Sequence, residues 1–322
     1  MKYFEFGTEN PELMVMLHGG GTTYLGMLPT AKVMAKVCHV VLVAYDGFDP
    51  DEPETEFVSP MDEARRLGDY IVEHYHRQIR EHTCFAEHYM LGIPCSAEIR
   101  PYRVKTLGHT TARQAEKDEK RRKDAPTGVC PLICRWYGGR IDILYAISYG
   151  CRVMMEVLAD DRLTVTTTIA NGMSLRDYPN IKTTLGKNIY CFFFTGLFYA
   201  VMGHPGPKRK RFLAKITGRT PEEADRILYG KATWKSWKNQ DYALIGKKTD
   251  YALFAKTDMH LWYGLKGTVD KKLSANLDGL KGRRYPFTAK IFTALGHGGL
   301  AGEHPDRFSA EVQAAHRHAL PQ

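Results

Sequence analysis

Short apolar runs recur along this chain, and they do not alternate with polar residues: "LMVML" (13–17), "VVLVAY" (40–45), "IDILYAI" (141–147), "TVTTTIA" (164–170), "MHLWYG" (259–264) and "TAKIFTAL" (288–295). A strand with one wet face alternates; an unbroken run demands cover on both faces. Parallel sheets meet that demand, because their crossover helices pack on either side. The runs therefore predict an α/β fold with a mostly parallel central sheet flanked by helices. Helical patterns separate several of the runs, as the fold requires. Ser59-Pro60-Met61-Asp62 reads as an N-cap, a proline at the first helical position and a carboxylate in the first turn. Met61, Ala64, Leu67, Ile71 and Tyr75 follow at helical spacing.

Two segments break the rhythm. The first, residues 77–137, contains "EKDEKRRKD" (116–124), four prolines and the cysteines Cys84, Cys95, Cys130 and Cys134. It has no sustained period and reads as an irregular basic insertion, ordered only in part. Cys130 and Cys134 with His82, Cys84 or His88 form the one candidate metal cluster, and their spacing is weak evidence for it. No metal or organic cofactor is expected. The second segment, 172–257, is helical in pattern and rich in aromatics, including Phe192–Phe194, Phe198, Tyr199, Trp234 and Trp237. Thr220-Pro221-Glu222-Glu223 opens one of its helices. Lying between two strands of one sheet, this block is expected to cap the sheet's carboxyl edge. The expected core is then 1–76, 138–171 and 258–322.

Charge narrows the classes of partner. The net charge is +9, of which residues 77–137 supply +5 from 12 Lys/Arg and 7 Asp/Glu. An uneven basic excess of this size is mostly solvated surface, and no nucleic-acid-binding motif accompanies it, so no nucleic acid is expected. The longest apolar run, 189–203, falls short of the roughly 20 residues that span a bilayer. "MKYFEFGTEN" has no cationic start followed by an apolar stretch, so the expected location is cytoplasmic and the seven cysteines are expected as reduced thiols.

The candidate chemistry begins at "LYAISYG" (144–150), where an apolar run ends on Ser148. An alcohol is a poor nucleophile until a base takes its proton. A sharp strand-to-helix turn holds the hydroxyl out and points the next helix's first amides at the reacting carbonyl. Such a turn needs small residues two positions either side, here Ala146 and Gly150. That is the G-x-S-x-G pattern with Ala for the first Gly. "MLHGGGTTY" (16–24) ends another run in three glycines, whose backbone amides can approach an anion with no Cβ in the way. "ALGHGGLAGEHPDRF" (294–308) sets His297 between Gly296 and Gly298 after the last run. A histidine there can take and return a proton.

These motifs, in this order, resemble those of the α/β-hydrolase superfamily with a helical cap, over residues 1–76 and 138–322. The resemblance implies Ser148 as nucleophile and His297 as general base. It implies an oxyanion hole from the amides of Tyr149 and of Gly20 or Gly21. The stretch around "GHGGLAGEHPDRF" is most similar to small hydrolases with Gly-His-Gly followed by His-Pro-Asp/Glu-Arg-Phe. For the third triad member the resemblance points near Gly267, where no acid stands. Asp270 is the nearest and keeps the order Ser, acid, His. Asn171 occupies the variant position after the preceding strand, with Asp177 six residues on. Asp270 is preferred and Asp177 held as the alternative. His18 and His304 read as structural.

The expected function is a serine hydrolase cleaving a carboxylic ester or related carbonyl substrate, with the cap aromatics walling a hydrophobic pocket or forming the cap's own core. A peptidase, lactonase or carbon–carbon hydrolase uses the same scaffold, and a catalytically impaired binding protein is the reading from another class. The expected partner is a small hydrophobic ester-like molecule; a homodimer is compatible with the sequence.

Overall fold

The buried strands follow the apolar runs closely. A computed structural model of the chain describes residues 1–91, 139–202, 206–207, 211–212, 214–215, 220–222, 232–274, 277–281 and 285–319. The chain divides into two compact units, Met1–Tyr75 with Gly139–Gln322, and His76–Gly138. The first unit holds the sheet: β1 (Lys2–Phe6), β2 (Leu13–Leu17), β3 (His39–Ala44), β4 (Gly139–Ile147), β5 (Leu163–Asn171), β6 (Asp258–Gly264) and β7 (Thr288–Phe292). Their spatial order is β1-β3-β2-β4-β5-β6-β7, parallel except for β1 against β3. This is the α/β fold with a mostly parallel sheet that the runs predicted.

The strand not foreseen is β1. Its residues are mostly half-buried, and it pairs on one side only, at the sheet's edge. An edge strand needs no continuous apolar run, so hydrophobicity did not mark it.

The helices are α1 (Leu28–Met34), α2 (Pro60–Leu91), α3 (Gly150–Ala159), α4 (Thr184–Met202), α5 (Trp234–Tyr242), α6 (Val269–Ser274), α7 (Leu277–Lys281), α8 (Gly299–Glu303) and α9 (Pro305–Ala319), with α4 packed on α5. Only the end of α2, up to Leu91, represents the second unit among the described residues. The expected cap at Ser59 is present, since the Asp62 amide donates to Ser59 Oγ at 3.0 Å. On one face Met14, Met16, Ile143, Tyr145, Ile169 and Trp262 pack with Met34 of α1 and with Phe308 and Val312 of α9 in a single core cluster. Alternate strand residues such as Val15, Leu17 and Leu144 are also fully buried, because strand side chains point alternately to the two faces. That double burial is why the runs of the inner strands carry no polar alternation; β7, at the far edge, is exposed from Thr288 to Ile291 despite its apolar run.

Strand register sets what lies beside what at the carboxyl edge. Leu17 pairs with Ala146, Ala146 with Ala170, Asn171 with Trp262 and Gly264 with Phe292. The loops that leave β2, β4, β5 and β6 therefore emerge as neighbours. In open α/β sheets such an edge is where ligands bind. Among the described residues no helix is long and apolar enough to cross a membrane.

The central strands should carry the stability. Leu144→Ala, in fully buried β4, is expected to lower unfolding free energy by about 3 kcal/mol in urea denaturation. Ile291→Ala on β7, whose residue is 48% exposed, should cost under about 1 kcal/mol.

Candidate active site

Ser148 follows β4 with φ 55°, the only non-glycine positive φ among the described residues. A left-handed serine costs on the order of 1–3 kcal/mol and persists only where its surroundings hold it. Here the Ser148 amide donates to the Asn171 carbonyl at 2.8 Å, and the Cys151 amide donates to the Ser148 carbonyl at 3.1 Å. Gly150 makes the turn sterically feasible. A Cβ on it would lie 2.6 Å from the His18 carbonyl oxygen and 2.7 Å from that of Leu17. Ala146, where the common pattern has glycine, is fully buried inside β4 and its methyl is accommodated.

The glycine loop after β2 lies beside this turn. A Cβ on Gly19 would be 3.3 Å from Ser148 Cβ, and one on Gly20 would be 3.0 Å from Tyr149 Cβ. Gly21, at φ 64°, has the six-membered ring of Trp237 against it. The Gly19 carbonyl accepts from His18 Nδ1 at 2.9 Å and from Thr22 Oγ1 at 2.8 Å. The Tyr45 amide donates to His18 Nε2 at 3.2 Å. A carbonyl only accepts and an amide only donates, so His18 must be the neutral Nδ1–H tautomer. Burial holds its pKa down at about 4, which keeps it so. His18 thus shapes the loop, as expected, and lies in it as a neutral strut.

Helix α5 closes over the loop. Tyr149, the residue before α3, donates from its phenol to the Gln240 carbonyl at 2.5 Å. Burial pushes that phenol's pKa well up, so it remains a donor. Ser236 Oγ accepts from the Phe57 amide at 3.2 Å, and Asn239 Nδ2 donates to the Phe57 carbonyl at 2.9 Å. Phe57 stands edge-on to Tyr149 and to Phe48, and Phe48 edge-on to Trp237. These buried rings form an apolar wall beside the glycine loop.

The imidazole and the acid come from the other side. His297 Nδ1 hydrogen-bonds Asp270 Oδ1, and Asp270 Oδ2 accepts from the Gly264 amide at 2.7 Å. Asp270 is 1% exposed, at the start of α6. Gly172, at φ 67°, lies between this pair and the serine turn. A Cβ there would be 2.4 Å from His297 Cε1 and 3.1 Å from Asp270 Oδ1. The preceding residue, Asn171, is the one whose carbonyl receives the Ser148 amide. One peptide group, 171–172, thus has the serine backbone on one end and the imidazole on the other.

Asp177, held as the alternative acid, is exposed and accepts from the Thr249 amide at 2.9 Å. Asn171 Nδ2 donates to the Tyr145 hydroxyl at 3.0 Å. Phe192–Phe194 correct one expectation made for them: they do not fill the cap's core but lie exposed on α4. Helical spacing could not reveal this, because α4 is apolar on more than one face. Among the described residues there is no group of His, Cys, Asp or Glu that could hold a metal; Cys130 and Cys134 lie outside them. Sequence reasoning missed Gly172, Gly264, Phe48, Phe57 and Gln240. For the two glycines the available signal was a glycine at the end of an apolar run, the same one used at Gly19.

No family model and no curated protein matches the chain. Solved structures do. A protein described as of the alpha/beta hydrolase family from Desulfitobacterium hafniense is similar at TM-score 0.56 and 14% identity, covering 97% of this chain and 99% of that one. A thermophilic esterase from Thermogutta terrifontis is similar at TM-score 0.55 and 12% identity, over 99% and 93% of the two chains. The Cif epoxide hydrolase from Acinetobacter nosocomialis is similar at TM-score 0.52 and 14% identity, over 97% and 84%. The chain has the α/β-hydrolase fold. At these identities the likeness speaks for the architecture alone, which hosts many chemistries.

Gly172 is the position where a side chain would strike the His297 ring. Gly172→Ala is expected to displace the His297 ring, read as loss of its low-field proton NMR signal, while far-UV circular dichroism is retained. His18 should keep neutral-tautomer ring shifts at every pH above about 5. Its folded pKa lies below the unfolded value of roughly 6.5, so its contribution to stability falls as pH drops from about 6.5 toward 4.

Proposed function

We propose that this chain is a serine hydrolase of carboxylesterase type, acting through Ser148, His297 and Asp270. The observation that carries the reading is the His297–Asp270 pair, set at the carboxyl edge against the same 171–172 peptide that receives the Ser148 amide. With Nδ1–H given to Asp270, the basic lone pair of His297 belongs to Nε2. Nε2 takes the Ser148 proton as Oγ bonds to the substrate carbonyl carbon. The carbonyl oxygen, now an anion, is met by the amides of Tyr149 and of Gly20 or Gly21. The imidazolium then protonates the leaving alcohol as the carbon–oxygen bond breaks, leaving an acyl-enzyme. Water, deprotonated by the same nitrogen, then adds to the acyl carbon, and the imidazolium returns the proton to Ser148 Oγ as the carbon–Oγ bond breaks and the acid leaves.

The second carboxylate oxygen of Asp270 is held by the Gly264 amide, which fixes the carboxylate's orientation and through it the ring's. Tyr149, half-buried and backed by the buried rings of Phe57, Phe48 and Trp237, favours an apolar group next to the scissile carbonyl. We take 172–257 as the cap, with α5 as the part that meets the glycine loop. Peptidase, lactonase or carbon–carbon hydrolase activity would use the same constellation and is distinguished by substrate panel. A catalytically impaired binding protein is distinguished by the probe below.

A fluorophosphonate probe should label the wild type and fail to label Ser148→Ala; an unlabelled but folded wild type would leave the binding-protein reading. Asp270→Asn should lower kcat on a short p-nitrophenyl ester by roughly 10³–10⁴-fold with KM little changed. Asp177→Asn should change it less than about twofold, as suits an exposed residue holding a loop amide.

A further inference from the structure

Helix α4 is turned the wrong way round for a protein surface. Leu185, Ile189, Phe192, Phe193 and Leu197 recur at positions i, i+4, i+7, i+8 and i+12 and occupy one side of the helix. That side faces outward: Leu185 and Phe193 are each 71% exposed, Phe192 68% and Leu197 66%. The opposite side is buried and partly polar. It presents Cys191 and Thr195, and Thr195 Oγ1 donates to Asp241 of α5 at 2.8 Å. Asp241 also accepts from the Tyr178 hydroxyl at 3.0 Å. The buried polar anchor fixes the helix's rotation, so the apolar side is held out. An amphipathic helix on a wet surface does the reverse.

Charge says what this side meets. From Tyr178 to Pro221 the chain carries eight Lys/Arg and no Asp or Glu. Lys182 precedes α4, and beyond it Arg211 and Lys215 are exposed, with Phe212, 50% exposed, between them. Exposed apolar side chains on a stretch whose only charges, from Tyr178 to Pro221, are cationic match a surface that offers anionic headgroups above hydrocarbon. A second copy of the same face would set cations against cations, and a nucleic acid offers phosphates but nothing to bury leucine and phenylalanine. The helix is not long and apolar enough to cross a bilayer, so it would lie along one.

We propose that this side of α4, with Arg211 and Lys215 beyond it, docks the protein on anionic lipid bilayers. The inference does not depend on Ser148 acting as a nucleophile.

The test is flotation of the full chain with vesicles of phosphatidylcholine containing about 30% phosphatidylglycerol, against phosphatidylcholine alone. The wild type should bind the anionic vesicles at least about tenfold more tightly, each surface cation adding to the attraction. Raising NaCl from about 0.1 to about 1 M shortens the screening length from ~10 to ~3 Å and should weaken that binding several-fold without any substitution. Phe192→Glu with Phe193→Glu should abolish flotation with the thermal midpoint unchanged, both side chains being exposed. Arg211→Glu with Lys215→Glu should remove the preference for anionic vesicles. Ser148→Ala should float like the wild type, which separates this proposal from the catalytic one. Failure of a folded wild type to float with the anionic vesicles would overturn the proposal. So would equal binding to both vesicle types, or a wild-type dimer that Phe192→Glu with Phe193→Glu dissociates.

Discussion

The strained turn at Ser148 is the constraint on which the rest of the site depends. A left-handed serine is unfavourable alone, and it is held by two strand ends and a helix. The β5 end supplies a carbonyl for its amide, the β2 end packs its carbonyls on Gly150, and α3 begins at once and ties down the serine carbonyl. Each support needs the strands in one register. A slip of β4 by one residue would turn every one of its side chains to the other face and remove the pairing of Ala146 with Leu17 and Ala170. The apolar runs that define the core therefore also fix the serine.

The same edge collects the other groups by backbone contact rather than by side-chain reach. Gly264 approaches so closely that a Cβ would lie 2.2 Å from the Gly296 carbonyl oxygen, which brings the β6 end and the loop bearing His297 together. Gly172 admits the imidazole, and Gly20 and Gly21 admit α5. Glycines at strand ends thus perform one task repeatedly, letting segments far apart in the chain meet at van der Waals distance. Burial completes the arrangement by keeping His18 neutral, so that the glycine loop carries no positive charge of its own.

Much of this was legible in the sequence because the responsible physics is local. Continuous hydrophobicity marked the six parallel strands, the Ser59-Pro60 start marked α2, and small residues around Ser148 marked the turn. The edge strand β1 was not legible, since half-buried pairing leaves no unbroken run. The acid was ambiguous because its identity depends on which loop packs back on the imidazole. Asp270 and Asp177 look alike in sequence; in the structure Asp270 meets the His297 ring and the Gly264 amide, whereas Asp177 is exposed and meets the Thr249 amide. The phenylalanines of α4 were misread for a related reason. Their side chains look like core until the Thr195–Asp241 hydrogen bond shows which side of the helix is anchored.

The proposed chemistry requires three remote segments to surround one reacting atom with an alcohol oxygen, an imidazole and a pair of amides. The most direct measurement is a crystal structure of the protein after reaction with an alkyl phosphonate. The account predicts a phosphorus–oxygen bond to Ser148 Oγ, with the phosphonyl oxygen about 2.7–3.1 Å from the amides of Tyr149 and of Gly20 or Gly21. An adduct on any other residue, or a phosphonyl oxygen turned away from those amides, would contradict it.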